Sequence, residues 1–106
     1  MILRHATAER RLASILRGGI DPAYSRGRIL AGWLHAASST SWAVLHVERR
    51  HQVRGSQVVV LEVDVPRSWL RRWGKGLWYC TRLIPPERFR RVIRFGEVSA
   101  SPVNGG

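Results

Sequence analysis

The chain has 106 residues, of which eighteen are Lys or Arg and seven Asp or Glu, for a formal net charge of +11. That length makes one domain with a modest core, and no apolar run is long enough to span a bilayer. One cysteine, Cys80, excludes an internal disulfide framework, and with four scattered histidines it argues against a structural zinc site, so no metal is expected.

Arg4, Arg10 and Arg11 interrupt the N-terminal stretch, so it does not read as a signal peptide. The expected setting is the cytoplasm, with no membrane partner. Only Lys75 among the bases is lysine, which a GC-rich genome would explain. Such a bias does not explain the shortage of acids, so the charge points to RNA, DNA or phosphates.

Leu3–Pro22 reads as a strand carrying His5 and Thr7, then an amphipathic helix, then a glycine stop. Thr7 is expected to cap the helix, with Glu9 in its first turn. Ala8, Leu12, Ile15 and Leu16 form one stripe facing a core. Gly18 or Gly19 ends the helix, and Pro22 prevents its resumption. His5 and Thr7 thus fall where a strand opens towards free amides. Ala23–Arg28 is a polar loop whose Arg26 and Arg28 suit phosphate.

Ile29–Ala36 reads as a second strand, its central Gly32 marking close backbone approach. A second helix starts at Ser38, Ser39 or Thr40 and runs to about His51. Its apolar positions from Trp42 to Val47 cover more than one face, which predicts packing on both sheet and loop. Gln57–Pro66 is the clearest strand: Val59, Leu61, Val63 and Val65 line one face, while the other passes from Val58 and Val60 to Glu62 and Asp64.

Pro66–Trp73 reads as one or two helical turns with Trp69, Leu70 and Trp73 tucked under. Gly74-Lys75-Gly76 is a turn and Leu77–Cys80 a strand. Phe89 enters the core, and Arg91–Val98 alternates as an edge strand. Residues 1–98 form one α+β domain, and 99–106 a disordered tail. Arg26, Arg28, Arg71, Arg72, Arg90 and Arg91 are the candidates for an electropositive rim that draws in nucleic acid.

These elements resemble a known family. His5-x-Thr7, the helix closing in Leu-Arg-Gly-Gly-Ile-Asp-Pro, the Val-Val-Leu-Glu-Val-Asp strand, Gly-Leu-Trp and Ile-Pro-Pro-Glu-Arg-Phe follow in the order of the C-terminal, NAD-binding lobe of RNA 2′-phosphotransferases. That lobe has the ADP-ribosyltransferase fold, and the similarity covers roughly residues 3 to 93. It implies a small split β-sandwich with two helices that binds NAD. His5, Ala6 and Thr7 carry over onto the ribose and carboxamide contacts. Arg26 and Arg28 carry over onto the phosphate contacts, and Trp33–Ala36, with His35, loosely onto the second motif. His5, Arg28 and Arg82 are then the candidate catalytic residues.

The chain departs from that pattern in five ways, one of them a shortened stretch before Gly76-Leu77-Trp78. Ala6 stands where the family usually has Gly, and His35 lies one place out of register, so it is expected on the other side of the sheet. No carboxylate occupies Tyr79–Arg82, where many ADP-ribosyltransferases place a catalytic Glu. The RNA-binding lobe has no counterpart here. Glu62 is expected to face an edge or to be paired with arginine rather than to enter the pocket. Two other classes stay open at this point: a non-catalytic basic module, acting as a subunit of a larger assembly, and a small toxin or defence effector.

Overall fold

The structure, a computed structural model, describes residues 1–24 and 32–94. Arg26 and Arg28, and the tail 99–106, lie outside the described residues. The elements are β1 (Ile2–Ala8), α1 (Leu12–Gly18), β2 (Gly32–His35), α2 (Thr40–His51), β3 (Val58–Asp64), β4 (Leu70–Gly74), β5 (Leu77–Cys80) and β6 (Phe89–Arg94). All strand pairs are antiparallel, in the order β4-β5-β2-β1-β3-β6. The fold is α+β, a six-stranded sheet with two helices. No helix among the described residues is long and apolar enough to cross a membrane.

Pairing along the sheet is uneven. β1 and β3 pair along their whole length, from Ile2↔Asp64 to Ala8↔Val58. β1 and β2 pair only at Arg4↔His35. The sheet is therefore nearly split into two three-stranded halves. One core takes side chains from every strand, among them Leu3, Leu34, Leu61, Leu70, Cys80 and Val92, and the sheet curls around it. Leu12 and Ile15 of α1 pack on this inner face. Val44 and Val47 of α2 pack on the outer face of the other half, against Val58, Val60, Ala6 and Ile93.

β3 follows its period-2 pattern: Val59, Leu61 and Val63 enter the first core, and Val58 and Val60 the second. β6 is an edge strand, as its arginines suggest. Gly32 opens β2 where a Cβ would stand 2.9 Å from Ile20 Cγ2, the close approach that its position in a strand implies.

Four local expectations need correction. Thr7 does not cap a helix: β1 continues to Ala8, so Thr7 is buried in the ladder opposite Val59, and a 3-10 turn over Glu9–Arg11 precedes α1. Glu9 instead pairs with Arg94 at 3.2 Å. Leu16 is 43% exposed, because α1 is too short to bury two full turns of stripe. α2 buries one face only, through Ala43, Val44 and Val47, and leaves Trp42 and Leu45 exposed. Finally, Leu70–Gly74 is a strand: helical spacing of Trp69, Leu70 and Trp73 is outweighed by pairing with β5 across the Gly74–Gly76 turn.

Candidate functional site

Where β1 and β2 part, a cleft of about 820 Å³ opens. It is lined by the end of β1, by β2, by α1 and by α2, so it runs through the split from one face of the sheet to the other. Past Arg4, the edge of β1 towards β2 has no ladder partner among the described residues, and the main chain at Ala6 and Thr7 borders the cleft there.

His5 bridges the gap. Its Nδ1 lies 2.8 Å from the Trp33 carbonyl oxygen. A carbonyl only accepts, so Nδ1 carries the proton and Nε2 keeps its lone pair. Burial pushes the His5 pKa down; the Trp33 carbonyl opposes this and the Arg11 charge adds to it. His5 is therefore a neutral imidazole whose free nitrogen accepts hydrogen bonds.

His35 reaches the same cleft from the other strand. It pairs with Arg4, so register puts it on the face opposite His5, as its shifted position in the sequence implies. The split lets both line one cavity. His35 is 2% exposed, and its Nε2 has no hydrogen-bond partner among the described residues. Burial, then the nearby His5 and Arg4, push its pKa down to about 4.

Both imidazoles are depressed below 6.5, so folding favours their neutral forms. The stability that His35 contributes is complete above pH 6.5 and is lost as pH falls through about 4. Unfolding near pH 5 should take up close to one extra proton through His35 alone. Thermal unfolding followed from pH 7.5 down to about pH 4.5 should show this slope, and His35→Leu should reduce it. An unchanged slope in that variant would contradict the assignment.

Glu62 stays out of the cleft, as expected. Its Oε2 is 3.6 Å from an Arg4 nitrogen and 3.2 Å from one of Arg91. Arg4 also donates to Thr40 Oγ1 at 3.1 Å, which ties β1 to the start of α2. Arg82 is not brought to the cleft. Its guanidinium sits 3.8 Å over the Trp69 ring, which Arg88 also approaches at 5.2 Å.

The described rim arginines are dispersed as well. Arg71 and Arg72 are on β4 and Arg90 and Arg91 on β6, the two edges of the sheet. Arg72 leans over Trp78, and Arg91 is engaged by Glu62.

Other residues do line the cleft. Arg10, Arg11 and Arg50 give it positive charge, and Asp21 is the one acid among its described lining residues. Asp21 Oδ1 already accepts the Ala23 amide at 2.9 Å. The position of Arg10 and Arg11 directly after His5-x-Thr7 was a usable sequence signal for them. Arg50 had none, because it arrives from a helix packed across β1. The cleft also holds Trp33, Trp42 and Trp73. Among the described residues, no three His, Cys, Asp or Glu side chains gather as a metal site. The arrangement suits a polar, anionic, partly aromatic ligand and offers it a neutral acceptor at His5. No family model and no curated protein matches the chain.

Proposed function

We propose that the chain is an NAD-dependent transferase whose acceptor is a nucleic acid or another phosphorylated molecule, in the manner of the RNA 2′-phosphotransferases and other ADP-ribosyltransferases it resembles. The observation that carries this reading is the parting of β1 and β2 around two neutral histidines, one of them buried with a nitrogen unpartnered among the described residues. A dinucleotide suits that donor set. His5 Nε2 can accept from a ribose hydroxyl, and His35 Nε2 is buried and open to a hydrogen-bond partner. The free edge of β1 at Ala6 and Thr7 is suited to a carboxamide, which both donates and accepts. Arg10 and Arg11 border the same space and would neutralise a diphosphate.

When bound, NAD supplies a ribose carbon from which nicotinamide can leave. The chain's part is to hold the ribose at His5 and to fix the phosphates with arginine. A hydroxyl or amide acceptor needs a base to take its proton, whereas a phosphate is already anionic. With Glu62 held by two arginines outside the cleft and both imidazoles made weaker bases by burial, the cleft suits phosphate acceptors.

Incubation with labelled NAD and a 2′-phosphorylated RNA, a 5′-phosphorylated strand or a protein mixture tests this. Transfer to a phosphorylated strand, lost in His5→Ala, is expected. Transfer to protein, abolished by Glu62→Gln, would overturn the mechanism. Silence with all three acceptors would favour the non-catalytic binding module.

A further inference from the structure

We infer that the open side of the cleft is a subsite for single-stranded nucleic acid, with the Trp73 indole as the platform for an unpaired base. The inference rests on the transferase reading for what the strand does there, while binding itself is measured apart from NAD.

Trp73 stands on the edge strand β4 and is 59% exposed. An indole so exposed gives up much of what its burial would contribute. Its ring neighbours do not cover it by stacking. Trp33 meets it at 5.5 Å and 88°, and Tyr79 at 6.2 Å and 75°. These edge contacts hold the ring in place without laying a parallel ring on it. A base can do so.

Trp42, at the α2 side of the cleft, is 53% exposed and lies nearly parallel to His46, at 5.5 Å and 18°. That pair shows the same stacking geometry within the chain itself.

The charges around the rings complement a phosphate backbone. Arg10, Arg11 and Arg50 line the cleft and have no carboxylate partner among the described residues. Exposed indoles combined with unpaired cations are what a single strand requires: stacking that accepts any base, and arginines that follow the backbone. A duplex hides the faces of its bases, so it engages the arginines alone. An acidic peptide likewise satisfies the arginines and leaves Trp73 unused.

Fluorescence anisotropy of short, end-labelled RNA and DNA single strands, against the matching duplex and an acidic peptide, reads this directly. Single strands of at least one sugar type should bind about tenfold more tightly than duplex. Trp73→Leu should weaken them about tenfold, and Trp73→Phe should recover most of the loss. Arg10→Ala and Arg50→Ala should each flatten the fall of affinity with salt. Circular dichroism confirms that the variants fold, which the exposure of Trp73 favours.

Equal affinity for single strand and duplex, or Trp73→Leu binding like wild type, would overturn the subsite. So would a peptide that binds as tightly as the strands. NAD is titrated separately. Failure to bind NAD alongside Trp73-dependent strand binding would sink the transferase reading and leave this subsite standing. NAD binding without strand selectivity would sink the subsite alone.

Discussion

Gly19→Ala is expected to destabilise the domain by about 3 kcal/mol. Gly19 has φ +89, a backbone region that side chains rarely adopt, and its amide closes α1 by donating to the Ile15 carbonyl at 2.7 Å. A Cβ there would also collide with the Ile84 carbonyl oxygen. That carbonyl cannot yield, because it accepts the Ile20 amide at 2.9 Å while Ile84 donates back to Ile20 at 3.0 Å. Both isoleucines are buried in the core, so the collision moves packed side chains as well as backbone. Gly18 is the control: nothing lies within 4 Å of its added Cβ, and it ends α1 without a positive φ. Gly18→Ala should leave stability within about 1 kcal/mol of wild type. Urea unfolding of the two variants separates these outcomes, and equal midpoints would contradict the account of the helix stop.

His5→Ala is expected to lower NAD affinity by tenfold or more, about 1.4 kcal/mol. Two losses combine. The acceptor nitrogen for a ribose hydroxyl disappears, and the Trp33 carbonyl loses its donor. β1 and β2 already pair at a single position, so this side-chain bridge is a large part of what fixes the width of the cleft. His5→Phe keeps the ring volume without the hydrogen bonds and should bind NAD as poorly as the alanine variant. Calorimetry at a temperature where both variants are folded gives the comparison. Full affinity in His5→Phe would mean that the ring acts by shape alone.

How much of this was legible in the sequence differs by element. β3 was readable because alternation is a local property and each of its faces meets a different core. The helix stop at Gly-Gly-Ile was readable for a similar reason: a positive φ and a buried isoleucine leave a local trace. β4 was not, because Trp69, Leu70 and Trp73 fall at a helical spacing while the hairpin with β5 decides the matter through pairing. Thr7 showed the same weakness, since a capping residue and a buried strand residue look alike until the partner strand is known.

The site was half legible. His5, Ala6, Thr7 and His35 do meet at the cleft, since they lie at or beside the one pair that joins β1 to β2. The arginine rim was drawn from neighbours along the chain, and strand order sends Arg71 and Arg72 to one edge and Arg90 and Arg91 to the other. Arg82 stacks on Trp69 for the same reason: proximity to a strand end says nothing of which way the side chain turns. Arg50, Trp42 and Trp73 joined the cleft through long-range packing, which no short motif records.

The most direct measurement is a titration of the labelled protein with NAD, followed by the backbone amide signals in two-dimensional NMR. Shifts should concentrate at His5–Thr7, at Gly32–His35 and at Arg10 and Arg11, the residues that border the split between β1 and β2. No shifts at millimolar NAD, or shifts confined to the Trp69, Arg82 and Arg88 cluster, would contradict the assignment of this cleft as a dinucleotide site.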